Sequence, residues 1–337
     1  MPLNPAALTP DAPRPAAPPP AELIVVGEAL VDVVTTATGS VDYPGGSPMN
    51  VAIGLARLEH PVQLVTRIGS DLRGAALQRH IEQSGVALFP GSLRDEATST
   101  ATALLDSAGV ASYDFNIHWS LDFVEHLPTT PLLHLGSIAA FLEPGATDAR
   151  RLLSEAARSS GGAGTIVTFD PNIRPSLLDS HADAVATVED LAALSTVVKL
   201  SDEDARWLYP TLTVDAVLDH LLTFGPALVI ATLGGDGALL ATAAGERVAV
   251  NGVAVEVADT IGAGDSFMSG VIHHLARLLE TGTAPGALRD GSVFTRAELL
   301  RAGSFAVRCA GITVSRTGAN PPTLAELNTQ HGDSVAN

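Results

Sequence analysis

The sequence predicts an α/β fold: a mostly parallel β-sheet flanked by helices, with a small β-lid at one edge. Three observations carry that expectation. Short apolar runs alternate with amphipathic stretches over most of the chain. Two segments, about 29–43 and 98–118, break the alternation with Val, Thr and small residues around turn signals. The chain also has 337 residues, 46% of them hydrophobic, enough to bury a large core.

The main sheet is read as follows. Leu23-Ile-Val-Val-Gly27 is a buried strand closed by a glycine turn. A helix is expected over 51–58, a strand over 63–68 and a helix over 72–84. Further strands are expected at 132–135, 165–169, 196–200 and 227–233, most of them separated by helical spacing. Ligands of such sheets bind beyond the C-terminal strand ends. The two off-pattern segments read as hairpins, with turns at Thr38-Gly-Ser40 and Ser107-Ala-Gly109. Residues 1–20, rich in Pro and Ala, read as a disordered tail, and residues 326–337 as a polar, fraying one.

Composition excludes several function classes. The net charge is -18, and the absence of Lys/Arg runs argues against a nucleic-acid partner. No apolar run reaches the length of a membrane span, and prolines stand where a signal peptide has its apolar centre. With Cys309 the only cysteine, neither an internal disulfide nor a thiolate metal site is available. The expected compartment is the cytoplasm. The sequence lacks G-x-x-x-x-G-K-[ST], the protein-kinase loops, H-E-x-x-H and a dinucleotide fingerprint, the last of which an oxidoreductase on such a sheet would need.

Four clusters hold candidate chemistry. In Asp259-Thr-Ile-Gly-Ala-Gly-Asp265, a glycine-rich turn opens a helix with apolar residues at helical spacing. Free amides at Gly262, Ala263 and Gly264, together with the helix dipole, make an anion site. Asp265 there is either a base for an attacking hydroxyl or a helix cap. Tyr43-Pro-Gly45-Gly46-Ser-Pro-Met-Asn50 offers close backbone approach and an amide suited to a sugar hydroxyl, or merely a turn before a helix. Asp32 could accept from neighbouring hydroxyls or be a turn carboxylate. Ala231-Thr232-Leu-Gly234-Gly235-Asp236-Gly237 is a glycine turn over phosphate or ribose, or a hairpin turn. In Lys199-Leu-Ser201-Asp-Glu203-Asp204 the carboxylates either hold a divalent cation through water or cap the next helix.

In this order, the Gly45-Gly46 to Asn50 element and the Asp259 to Gly270 element resemble the two signatures of the ribokinase-like, or phosphofructokinase B, family of sugar kinases. The resemblance spans about 22–324 and implies a doubly wound domain over 21–325 with the β-lid. It further implies ATP as phosphoryl donor, with Mg²⁺ held through water by Glu203 and Asp204. Asp265 then matches the catalytic base, with Gly262, Ala263 and Gly264 as the anion hole. Asp32, Gly45, Gly46 and Asn50 match sugar ligands. Ser201, Thr232, Gly234, Gly235 and Gly237 match the ATP site, and 305–314, with Ala306, matches the helix against adenine. K⁺ activation in the family maps near Asp259, Ile261, Thr313 and Gly318. One departure concerns the family's Asn-x-x-Glu, which here is Ser201-Asp-Glu203-Asp204, one methylene shorter at its end.

Phe169-Asp-Pro171-Asn172-Ile-Arg174 and the absence of a Glu near Leu135-Gly136-Ser137 look like fructokinases and 2-keto-3-deoxygluconate kinases rather than ribokinases. Arg174 would grip a carboxylate or phosphate, or form a surface ion pair. Gly-Gly-Ser-Pro-Met-Asn and the lid stretch Ala111-Ser-Tyr113-Asp-Phe115, whose aromatics share a strand face, favour fructose. At 4% aromatic content a nucleoside base slot is disfavoured. Lids of the family often pair between subunits, which implies a homodimer. A catalytically inactive sugar- or nucleotide-binding regulator on the same fold is the remaining alternative, and one expected to lose Asp265.

Overall fold

The computed structural model describes residues 22–36, 39–105, 111–158 and 164–329. The expected N-terminal tail and the Ser107-Ala-Gly109 turn lie outside those residues, as does the first residue of Thr38-Gly-Ser40.

The chain opens with β1 (Leu23–Val26), the lid hairpin β2 (Leu30–Thr36) and β3 (Gly39–Gly45), and helix α1 (Ser47–Arg57). Then come β4 (Val62–Val65), β5 (Ile68–Gly69), α2 (Leu72–Gln83), β6 (Val86–Leu88), β7 (Leu93–Arg94) and the second lid pair, β8 (Thr100–Leu105) and β9 (Ala111–Asn116). The middle of the chain supplies β10 (Leu132–Gly136), α3 (Gly145–Arg158), β11 (Ile166–Asp170), α4 (His181–Ala192), β12 (Val197–Ser201), α5 (Asp202–Leu208), α6 (Val214–Leu222) and β13 (Leu228–Thr232). It ends with β14 (Ala238–Thr242), β15 (Arg247–Val250), α7 (Ala263–Glu280), α8 (Pro285–Arg289), α9 (Arg296–Val314) and α10 (Leu324–Thr329).

Among the described residues the main sheet has nine strands in the order β15-β14-β13-β12-β11-β10-β1-β4-β6. It is parallel from β13 to β6, with β14 and β15 antiparallel at one edge. The chain winds from β1 to β4 and β6 on one side, then returns to β10 and proceeds the other way. The switch point therefore lies between β1 and β10, where ligand crevices form in such sheets. Alternate strand residues enter opposite cores: Leu23, Val25, Leu132, Ile166 and Val197 pack under α1, α2, α7 and α9. Ile24, Val26, Leu133, Leu135, Val167 and Phe169 pack under α3 to α6. Burial on both faces explains why these strands read as continuous apolar runs.

The lid is a separate four-stranded sheet, β3-β2-β8-β9, with β2 and β8 parallel at its centre. Asp71 ties it to α2, accepting hydrogen bonds from the Gly74 amide and from both the amide and the hydroxyl of Thr98, just before β8.

Several boundaries differ from the sequence reading. The strand expected over 63–68 is broken: β4 ends at Val65, and Ile68–Gly69 pairs instead with Leu93–Arg94, next to an Arg67 fork on Glu96. Helix α1 begins at Ser47, before the expected 51, because Pro48 sits in its first turn with φ already preset. The boundary drawn at 325 falls inside α10, whose Leu327 is buried against Leu58, Cys309 and Ile312.

Candidate active site

Asp265 is the third residue of α7, and the helix begins without a side-chain cap. Its N-cap is Gly262 at φ 75, a left-handed conformation that costs a side-chain-bearing residue about 1–2 kcal/mol, and a Cβ there would stand 2.6 Å from the Ala319 Cβ. Because no hydroxyl or carboxylate caps the turn, the amides of Gly264 and Asp265 meet no acceptor among the described residues; that of Ala263 reaches Thr260 O at 3.3 Å. These are orphan donors of a helix start aimed along its positive end.

The Asp265 carboxylate does not cap its own helix. It accepts from Ser47 Oγ at 2.6 Å and from Asn50 Nδ2 at 2.8 Å, partners 218 and 215 positions away. Gly46, at φ 114, makes that approach possible: a Cβ on it would lie 2.5 Å from Glu28 O. The glycine pair thus sits against the end of β1, and Gly45 faces the Asp32 carboxylate so closely that a Cβ would meet its oxygen. The structure therefore gathers Asp32, Gly45, Gly46, Asn50 and Asp265 at the switch point. Ser47 belongs with them, although nothing in the sequence marked it beyond its place in Gly-Gly-Ser-Pro-Met-Asn.

The floor of the site comes from three strand ends. Glu28, after β1, is buried, and its carboxylate accepts from the Ala139 amide at 3.2 Å. Burial pushes its carboxyl up to about 8, against hydrogen bonds from Ser137 and Ala139. Ser137 and Asn172, after β10 and β11, both hold positive φ, 61 and 38, and Asn172 Nδ2 donates to Ser137 Oγ at 3.4 Å. Such backbone is costly for non-glycine residues and concentrates at functional sites. Burial also raises the Asp32 carboxyl above its usual range, opposed by Arg174. Arg174 is exposed and donates to the Ile173 carbonyl at 3.1 Å; among the described residues it has no carboxylate within ion-pairing distance, unlike the surface pair considered from sequence.

Other candidates fall into two groups. Thr232 ends β13, and Gly234 and Gly235 form an exposed turn into antiparallel β14, so the hairpin geometry and a ligand turn describe the same backbone. Ser201 and Asp204 form a capping box: Asp204 N donates to Ser201 Oγ, and Ser201 N to Asp204 Oδ2, both at 2.9 Å. The other Asp204 oxygen accepts the Ile173 amide at 2.8 Å. Ala306 is fully buried at the α7–α9 contact, against Gly270, and so backs the site rather than offering a face to a ligand. Phe115 lies half-buried on β9, while the Tyr113 side chain lies outside the described residues.

No group of three or more His, Cys, Asp or Glu converges to enclose a metal among the described residues. A magnesium ion bound largely by water and substrate phosphates needs only one or two carboxylates. Exposed Glu203 fits that lighter demand, whereas Asp204, paired with it in the sequence reading, is buried with both of its oxygens on backbone amides. Asp259 accepts from the amides of Ile261 and Gly318, at 3.0 and 2.9 Å, which hold its carboxyl below the usual range and draw the two backbone segments together. No helix among the described residues is long and apolar enough to cross a membrane.

Known proteins resemble this chain in both sequence and fold. Fructokinase of Escherichia coli is 32% identical over 311 residues, covering 89% of this chain and 95% of its own. The crystal structure of Vibrio cholerae O395 fructokinase bound to fructose, ADP and calcium matches with a TM-score of 0.74 at 28% identity, over 92% of this chain and 98% of that one. A double mutant of the same enzyme holds fructose, ADP and potassium. Aminoimidazole riboside kinase of Salmonella enterica, in complex with aminoimidazole riboside and an ATP analogue, gives 0.72 at 27% identity over 91% and 99% of the two chains. The fold is ribokinase-like, with the four-stranded sheet β3-β2-β8-β9 as its lid. Matched by the pfkB family carbohydrate kinase profile over residues 21–326, this chain belongs to that family and is a sugar phosphotransferase.

Proposed function

We propose that the enzyme is a fructokinase, transferring the γ-phosphoryl group of ATP to a hydroxyl of D-fructose. The observation that carries the reading is the Asp265 carboxylate, held by Ser47 and Asn50 beside uncapped amides of its own helix. Asp265 takes the proton of the attacking hydroxyl as the new O–P bond forms. The bond from phosphorus to the β-phosphate oxygen breaks, its electron pair leaving with ADP, and the Gly262 to Gly264 turn stabilises charge on the moving phosphoryl group. Asp32 and Asn50 hold the sugar hydroxyls, and Thr232 with the Gly234 to Gly237 turn holds the nucleotide.

Magnesium, when bound with the nucleotide, neutralises phosphate charge; exposed Glu203 would hold it through water. A monovalent cation would meet backbone oxygens near Asp259, Ile261, Thr313 and Gly318. Two copies would pair through the lid, where Val41 and Tyr43 stand 53% and 50% exposed, and the enzyme would work in the cytoplasm. Fructose is favoured because the V. cholerae relative binds fructose with ADP on the same fold. A second reading, a 2-keto-3-deoxygluconate kinase, is supported by the Arg174 guanidinium, which has no carboxylate within ion-pairing distance among the described residues and suits an acid sugar.

ADP release from MgATP with fructose, 2-keto-3-deoxygluconate, ribose or adenosine tests this. Fructose should turn over fastest. Preference for the keto-acid would transfer the assignment to the second reading, and turnover of none would remove the kinase reading in favour of a binding role.

A further inference from the structure

A buried ion pair lies under the uncapped turn of α7. On the sheet face below α1 and α7, the first residues of three neighbouring strands are Leu132, Ile166 and Val197, all core. Farther along the same face stand His134, Thr168, Asp170 and Lys199, which are polar and buried. Lys199 Nζ donates to Asp170 Oδ2 at 2.9 Å, with the two side chains 4% and 1% exposed. The ammonium reaches the helix turn: a Cβ on Gly264 would stand 3.1 Å from Nζ. On the opposite sheet face the same strands present Leu133, Leu135, Val167, Phe169, Val198 and Leu200, all apolar.

A stabilising role explains this poorly. Taking both charges out of water costs about as much as their attraction returns, and apolar pairs often serve as well. The network is also incompletely satisfied: among the described residues Asp170 Oδ1 and His134 Nε2 have no partner, while His134 Nδ1 shares a hydrogen bond with Thr168. Burial pushes the Asp170 carboxyl up to about 6, against the pull of Lys199. Burial acts to lower the Lys199 pKa, but Asp170, with Asp204 and Asp265 nearby, holds it above the usual value, so the ammonium stays charged. Burial and the Lys199 charge together push His134 down to about 3, leaving it neutral. The pair thus places one fixed positive charge against the turn that receives the phosphoryl group.

We propose that Lys199, fixed by Asp170, is a positioning residue that presents buried positive charge to the transferred phosphoryl group through the Gly264 turn. The proposal rests on the kinase reading above. It differs from a structural ion pair in what a neutral replacement does. Lys199→Met alone strands Asp170, and a misfolded product there is expected on either account. The informative variant is Lys199→Met with Asp170→Leu, which removes both charges and should melt near the wild-type temperature. Its kcat should nevertheless fall about 10–100-fold, the range seen when outer-shell partners of a site are removed, with KM for sugar and ATP within about threefold. Binding of ADP with aluminium fluoride, a mimic of the moving phosphoryl group, should weaken about tenfold while ADP alone binds unchanged. Wild-type kcat and unchanged aluminium fluoride binding in the double variant would overturn the proposal and leave the kinase reading intact. A wild-type chain inert on every sugar, and unaffected in aluminium fluoride binding by Asp265→Asn, would instead show that the kinase reading itself had failed.

Discussion

Helices α5 and α7 each begin with an aspartate at the third position, and they use it in opposite ways. In α5 the Ser201 hydroxyl caps the turn, and Asp204 closes the box by accepting the Ser201 and Ile173 amides. In α7 the cap is Gly262, without a side chain; the Gly264 and Asp265 amides meet no acceptor among the described residues, and the Asp265 carboxylate reaches across to Ser47 and Asn50. A capped start satisfies its own donors and contributes stability. An uncapped one holds donors in reserve for an anion. The residue at the cap, more than the aspartate, therefore decides whether a helix start is scaffold or site.

The contrast breaks most sharply on exchange of the two carboxylates. Asp265→Asn should lower kcat about 10²–10⁴-fold, the usual worth of a positioned general base, with little change in melting temperature. Steady-state ADP release checks it. Asp204→Ala should do the reverse. It loses a cap and strands the buried Ile173 amide, costing about 2–3 kcal/mol of stability by urea unfolding, with a much smaller loss of kcat in the molecules still folded. Gly262→Ala should cost about 1–2 kcal/mol of stability through its left-handed backbone and lower kcat by disturbing the turn, which unfolding and turnover measured on one preparation would separate.

The smallest effect is a pH dependence. The folded Glu28 carboxyl, raised by burial to about 8, lies above its ordinary value of 4.5. Its folded form therefore binds the proton more tightly than the unfolded chain does. The Glu28 contribution is full below about pH 4.5 and is lost as pH climbs toward 8. Glu28→Gln, which mimics the protonated acid, should flatten that part of the melting-temperature profile between pH 5 and pH 9. An unchanged slope would mean that Glu28 is ionised in the fold.

Much of this was legible beforehand, for physical reasons that differ by region. The central strands announced themselves because a parallel sheet buries both faces, making Leu132 to Leu135 and Leu228 to Ala231 continuous apolar runs. Strands β14 and β15 did not: Ala238-Leu-Leu-Ala-Thr242 lacks the Val and Ile that mark a strand, and Arg247–Val250 is short and partly exposed. Helix α9 showed only from Phe305, because its first turns, Arg-Ala-Glu-Leu-Leu-Arg, are largely solvent-facing. Gly262, Asn50 and Asp265 stood out in glycine turns ahead of helices, and the resemblance to the sugar-kinase signatures supplied their roles. Ser47 was passed over because a Ser before Pro reads as an ordinary helix start. Lys199 and Asp170 stayed invisible because sequence does not say which charges are buried together, and 29 positions separate them.

The most direct measurement is a rapid-quench single turnover of Asp265→Asn with fructose and MgATP both saturating. If Asp265 is the base, the ternary complex forms with near wild-type affinity and phosphoryl transfer slows at least about a hundredfold. Transfer at close to the wild-type rate from that complex would contradict the account, because the carboxylate between Ser47 and Asn50 would then have no part in the chemical step.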